Sequence, residues 1–176
     1  SRVNLPPGLQ CVCFIPNSVG KTSTARGVLP TKVDRSEAVY NIGRVAWLIN
    51  ALSNNNLDQL RLGCMDALHQ PQRAKAVYPH LEPIIRGAVA AGACTCYLSG
   101  AGPTVMALTS GAAGDIFTQR DKERVDRKVA QAMLDAAATT NTHGNVYISK
   151  ACETGACVLS ADPPFSEGVL KYTGVM

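Results

Sequence analysis

Hydrophobic and polar positions change rhythm several times along the chain. From Leu9 to Ile15 they alternate between Pro7-Gly8 and Pro16-Asn17, which predicts a strand bounded by turn residues. A helical period follows. Asp34 and Glu37 have capping-box spacing, and Ala38, Ile42, Val45, Ile49 and Leu52 recur at the repeat of a long helix that ends in Ser53 and three asparagines. Leu57, Leu60, Cys64 and Leu68 predict a shorter amphipathic helix stopping by Pro71, and Leu81 to Ala91 a third, with Gly92 as its C-terminal cap. The period returns to two from Ala93 to Leu98 and again from Thr104 to Thr109, with Ser99-Gly100-Ala101-Gly102-Pro103 between the two strands. A helix from about Asp121 to Ala138 would bury Val125, Val129, Ala132 and Ala136 and turn Lys122, Arg124, Asp126 and Lys128 to water. Asn145 to Lys150 is a further strand, Gly155 to Leu159 adds another, and the segment from Asp162 onward is irregular.

That order predicts an α+β fold: a ferredoxin-like sandwich in which helices pack on one face of an antiparallel sheet. At 176 residues and 46% hydrophobic content, one domain with a core that needs no disulfide or metal is expected. The net charge of +4 comes with only 17% charged residues and no basic block, which argues against a nucleic-acid partner. No apolar run approaches the roughly 18 residues of a membrane span, and no charged leader precedes an apolar stretch, so no membrane association is expected. Seven cysteines are an odd number without framework spacing. Cys11 and Cys13, like Cys94 and Cys96, alternate within strand-like runs, which places each pair on one sheet face as reduced thiols in a reducing compartment. No CxxC occurs, and His69, His80 and His143 lack ligand spacing, so no metal site is predicted. Cys152 and Cys157 flank a Glu-Thr-Gly turn, and whether they pair is open.

Val19-Gly20-Lys21-Thr22 imitates the end of a phosphate-binding P-loop, but Ile15 stands where its first glycine belongs and Pro16 removes a donor. The Ser99 to Pro103 stretch carries more information: its two glycines admit close backbone approach, and its amides are candidates to receive an anion, as an alternative to a ligand-free hairpin turn.

Three segments in order, Thr22-Ser23-Thr24-Ala25-Arg26-Gly27-Val28-Leu29-Pro30, Leu68-His69-Gln70-Pro71-Gln72-Arg73 and Tyr97-Leu98-Ser99-Gly100-Ala101-Gly102-Pro103-Thr104, resemble the C-terminal half of the homoserine kinases of the GHMP kinase superfamily. The resemblance runs from about Leu9 to Ile148, and the Pro-x-x-x-Gly-Leu-Gly-Ser-Ser segment with which such kinases cradle ATP has no counterpart here. It implies that residues 1–176 form the C-terminal domain of a longer enzyme that transfers the ATP γ-phosphate to the hydroxyl of L-homoserine, in threonine biosynthesis. ATP and Mg2+ would be held mainly by an N-terminal domain outside this chain, and the isolated chain would be inactive. Arg26 and Arg73 are then the candidates to grip the substrate carboxylate, because a guanidinium fork matches a carboxylate. The resemblance further assigns Thr22 to the reacting centre and Ser99, Gly100, Ala101 and Gly102 to the substrate side. Four residues separate Thr22 from Arg26, so a short helix would present both on one face. His69 is read as a structural hydrogen-bonding residue rather than a base. The alternatives are another GHMP small-molecule kinase, such as a mevalonate kinase, and a non-enzymatic amino acid-binding or dimerisation module, with a homodimer possible in either case. A cytoplasmic location is expected, or a plastid in a photosynthetic source.

Overall fold

Alternation decides the centre of the sheet. In this computed structural model, which describes residues 3, 5–6, 8–110 and 116–152 with the side chains of 116–124 excepted, Val12 and Phe14 of β1 (Gln10–Pro16) are fully buried on one face. β1 pairs antiparallel with β3 (Val105–Thr109) on one side and β4 (Gly144–Lys150) on the other, and β2 (Thr95–Leu98) pairs with the outer edge of β3. The order β2-β3-β1-β4 is that of a ferredoxin-like sheet, and the predicted α+β class is borne out.

Two helices cover the Val12 and Phe14 face: α5 (Leu81–Ala90) through Leu81, Ile84 and Ala88, and α6 (Ile116–Ala138) through Val129, Met133 and Ala137. Each large apolar side chain removed from water there contributes about 1.5–3 kcal/mol. α5 ends as its sequence requires. Gly92 takes φ +108, and the amide of Ala93 returns to the carbonyl of Ala88 at 3.0 Å, the bond of a Schellman closure.

A second, smaller cluster lies on the opposite face, where Leu9 and Leu108 meet Ala51 and Leu60 from α2 (Arg35–Ser53), a single 3-10 turn (Leu57–Gln59) and α3 (Leu60–Gly63). Here the periodicity points the wrong way. The stripe of Ile42, Val45 and Ile49 is 70%, 60% and 46% exposed, while Asn41, Leu48 and Ala51 face the body of the protein. Polar capture and close approach turn the helix. Asn41 Nδ2 donates to Asp66 Oδ1 at 2.6 Å, and Gly63 lets α3 come so near that a Cβ there would lie 2.6 Å from the Leu48 backbone. Asp34 does occupy the N-cap of α2, but its side chain makes no capping bond.

The helix expected from Leu57 to Leu68 is a correction. It breaks at Cys64, and a new helix, α4 (Gln70–Ala76), starts where Pro71 was expected to stop one. Asp66 is the cause. Its carboxylate accepts the amides of Leu68 at 3.0 Å, His69 at 2.8 Å and Gln70 at 2.5 Å, supplying donors' partners for a first turn in which Pro71 has no N–H to lose. Burial alone would raise the pKa of Asp66, but the hydrogen bonds from Asn41 and these amides outweigh it and bring the pKa down to about 2. The ordinary carboxylate value lies near 4, so the stabilisation from Asp66 is complete above that pH and drains away as pH falls towards 2. The Asp66→Asn variant should lose part of that acid-sensitive increment, and the gap between its urea midpoint and that of the wild type should shrink between pH 5 and pH 2. A constant gap would show that the carboxylate charge is not what is being used.

Three smaller corrections follow from packing. Asp126, expected on the wet side of α6, is 3% exposed and accepts the Thr109 hydroxyl of β3. Cys94 and Cys96 do not share a face: β2 starts only at Thr95, so Cys94 joins the cluster of Leu9 and Leu108 while Cys96 joins that of Val12 and Phe14. α6 starts at Ile116 rather than near Asp121. The Gly155 to Leu159 strand, the Cys152 and Cys157 pairing, the outward placement of Lys122 and Arg124 and the tail from Asp162 lie outside the described residues. Among the described residues no helix is long and apolar enough to cross a membrane.

Candidate functional site

The glycine-rich connection between β2 and β3 is a closed turn. The amide of Gly102 donates to the carbonyl of Ser99 at 3.0 Å, and the amide of Ser99 donates to the carbonyl of Thr104 at 2.9 Å. Gly100 and Gly102 have φ of +57 and +84, and the Gly102-Pro103 bond is cis. At Gly102 the glycine is required twice over. A Cβ there would fall on the Tyr78 ring and stand 2.9 Å from Leu98 Cδ1.

α4 reaches into this turn. Arg73 is 8% exposed, its Nε donates to the carbonyl of Ala25 at 3.1 Å, and its Nη1 donates to the carbonyl of Gly100 at 3.0 Å. Ala25 is the buried residue of α1 (Thr22–Gly27), so one guanidinium fastens α1 to the glycine turn. Arg26 follows Ala25 directly and is exposed, as is Thr22 one helical turn earlier. Neither side chain has a hydrogen bond or ion pair among the described residues. Sequence-distant residues 22, 26, 73 and 99 to 102 are thus brought into one region by bonds that can be named. The two arginines differ, however: Arg26 presents its whole fork to solvent, whereas Arg73 has committed two donors to backbone.

Further side chains hold the same turn, and reasoning from sequence missed them. Gln70 Oε1 accepts the amide of Leu98 at 2.8 Å, the Tyr78 hydroxyl donates to the carbonyl of Ala101 at 2.9 Å, and His80 Nε2 lies 3.1 Å from the carbonyl of Pro103. Tyr78 and His80 sit in a short connection between helices with no motif to flag them. His80 is 3% exposed, and burial lowers its pKa against a smaller opposing effect of the Pro103 carbonyl, so the ring is neutral and donates through Nε2. His69 serves α4 locally: its amide and its Nδ1 both meet Asp66, in keeping with a structural role. The P-loop look-alike has a packing task, since a Cβ at Gly20 would lie 2.7 Å from Pro103 Cδ.

Behind the turn, between α2 and the sheet, lies a cavity of about 700 Å3 whose polar end is formed by Asp66, His69, Gln70, Arg73 and Gly100. Its walls are apolar, with Leu9, Leu48, Leu52, Tyr97, Met106 and Leu108 among them. The thiols nearby are not poised to react. Burial pushes Cys11, Cys13 and Cys64 up, and Cys96 up to about 12. Among the described residues no group of three or more His, Cys, Asp or Glu side chains is placed to hold a metal ion.

Residues 37–136, more than half of the chain, match the family model described as GHMP kinases C terminal. A homoserine kinase from Moorella thermoacetica is 38% identical over 158 residues, which are 90% of this chain and 49% of that protein. Another from Caldanaerobacter subterraneus subsp. tengcongensis is 42% identical over 110 residues, 62% of this chain and 35% of that protein. Among solved structures, homoserine kinase from Cytophaga hutchinsonii superposes with a TM-score of 0.74 at 26% identity, covering 85% of this chain and 44% of that one. The chain therefore spans a third to a half of the length of these relatives.

Proposed function

The chain belongs to the GHMP kinase C-terminal family, and from that premise we propose that it forms the substrate-gripping wall of a homoserine kinase active site. The observation that supports this reading is the pair of hydrogen bonds from Arg73 to the Ala25 and Gly100 carbonyls, which fastens α1, the helix that carries exposed Arg26, to the glycine turn. Homoserine carries one carboxylate, and transferring phosphate to its hydroxyl requires that the hydroxyl be fixed in line with the γ-phosphorus. Arg26 supplies the bidentate grip on that carboxylate, with the remaining Nη2 of Arg73 behind it. Thr22, on the same side of α1 as Arg26, contacts the substrate near its reacting end. Ser99, Gly100, Ala101 and Gly102 face the transferring group.

The reaction so assigned forms an O–P bond at the homoserine hydroxyl, breaks the bond from the γ-phosphorus to the bridging oxygen of ADP, and releases the hydroxyl proton. ATP and a divalent ion would find their ligands elsewhere in the longer protein, because these residues offer neither a glycine-rich phosphate cradle at a helix start nor, among the described ones, a set of acidic ligands. The 176 residues alone are accordingly expected to be inactive.

The test is homoserine-dependent ADP release by the longest natural polypeptide carrying this chain, against a panel that includes mevalonate. Preference for mevalonate, or turnover by the 176 residues alone, would overturn the proposal. Within the active polypeptide, Arg26→Ala should raise KM for homoserine more than tenfold, since a charge-assisted bond of about 1.5–3 kcal/mol is lost. Its melting temperature should stay near the wild-type value because the side chain is exposed and makes no bond among the described residues. An unchanged KM would remove Arg26 from the site.

A further inference from the structure

Four carbonyls of the glycine turn have donors, and two of its amides have no acceptor among the described residues. The carbonyl of Gly100 goes to Arg73, that of Ala101 to Tyr78 and that of Pro103 to His80, while that of Ser99 accepts Gly102 within the turn. By contrast, the amides of Gly100 and Ala101 donate to nothing among the described residues. A peptide unit is rigid, and in a trans unit its N–H points opposite to its C=O. Fixing the Gly100 carbonyl against Arg73 therefore aims the Ala101 amide away from the protein body. Closing the Ser99 carbonyl inside the turn aims the Gly100 amide outward in the same manner. The next carbonyl, that of Ala101, belongs to the peptide unit whose N–H, that of Gly102, closes the turn on Ser99, so holding it keeps that closure in place.

We propose that Tyr78 and His80 are positioning residues for this turn: by holding the Ala101 and Pro103 carbonyls they preorganise the Gly100 and Ala101 amides as a donor pair for a phosphoryl oxygen. The assignment of the ligand rests on the kinase reading above; the aim of the amides rests on the hydrogen bonds. Neither side chain touches substrate. Their effect on the reaction passes through the backbone, in the way that oriented dipoles stabilise charge only if they need no reorganisation when the charge develops.

Gly102 explains why the arrangement is stiff. Its missing Cβ lets the Tyr78 ring lie directly against the turn, so the hydroxyl meets the Ala101 carbonyl without a gap. The two rings also support one another. Tyr78 and His80 lie 5.7 Å apart between centroids, and Phe14 of β1 packs 6.1 Å from His80, which ties the anchor to the centre of the sheet.

The experiment uses the full-length kinase and two readouts. Tyr78→Phe keeps the ring and removes the hydroxyl, and it should lower kcat about tenfold, a fraction of what the loss of a whole oxyanion donor costs, with KM for homoserine within about twofold. His80→Gln, which retains an N–H donor, should hold kcat closer to wild type than His80→Leu. Independently of turnover, titration with inorganic phosphate should move the ¹⁵N–¹H resonances of Gly100 and Ala101 in the wild type, and Tyr78→Phe should weaken that response. Unchanged kcat in Tyr78→Phe together with an unchanged amide response would overturn the proposal, as would a fall in melting temperature with no change in kcat. If homoserine is not the substrate but the amides still respond to phosphate in a Tyr78-dependent way, the kinase reading fails while the positioning role stands. If homoserine is turned over and the amides are silent, the reverse holds.

Discussion

Arg73→Ala is expected to be among the most damaging substitutions in this protein, lowering stability by about 3–5 kcal/mol and abolishing the homoserine-dependent turnover proposed for the longer polypeptide. The side chain is 8% exposed and satisfies two carbonyls from different parts of the chain, Ala25 and Gly100. Truncation leaves both without their donor and opens a gap between α1 and the turn. Arg73→Lys should recover only part of the loss, because an ammonium on a flexible stem cannot hold two carbonyls in the fixed geometry of the fork. Urea unfolding of the three proteins, followed by kinetics on whichever remain folded, checks this. A lysine variant with full stability and full activity would show that position 73 requires charge and not the fork.

Gly102→Ala should be the next most costly change, at about 3 kcal/mol, from adding a left-handed backbone penalty to an overlap in a packed region. Its φ of +84 disfavours any Cβ, and that Cβ would meet Leu98 Cδ1 at 2.9 Å as well as the Tyr78 ring. Gly100→Ala is the control. It has φ +57 but nothing within 4 Å of its would-be Cβ, so about 1 kcal/mol is expected from the backbone alone. Thermal or urea unfolding of the pair should separate the two costs. Equal losses would mean that the contact with Tyr78 does not constrain Gly102. If Gly100→Ala remains folded yet loses turnover, the open space at Gly100 is used by substrate rather than by packing.

The fold was largely readable from the chain because strands with one dry face announce themselves. Val12 and Phe14 alternate with Cys11 and Cys13, and the structure buries the first pair and leaves the second half-exposed. Helical segments were harder. The stripe through Ile42, Val45 and Ile49 is regular, yet the helix turns its Asn41, Leu48 and Ala51 side inward, because a carboxylate from Asp66 and the absent side chain of Gly63 decide the contact. Periodicity weighs apolar residues and is blind to a polar capture 25 positions away. The same blindness misplaced Asp126, whose partner Thr109 lies on a strand, and hid α4, whose start depends on one aspartate rather than on a hydrophobic pattern.

At the proposed site, the resemblance of three short segments to known kinases singles out Thr22, Arg26, Arg73 and the Ser99 to Gly102 turn as candidates. Residue type and local spacing were enough to predict the antiparallel α+β sandwich, since strands and helices are written in contiguous stretches, whereas the candidate site rests on that resemblance. Folding decided the division of labour: Arg73 is consumed in fastening α1 to the turn, Arg26 is left open, and Tyr78 with His80 holds the carbonyls beside them. Such bonds join residues 23 to 48 positions apart. Their partners are backbone oxygens, which every residue carries and no sequence pattern marks, so only the packed chain could select among them.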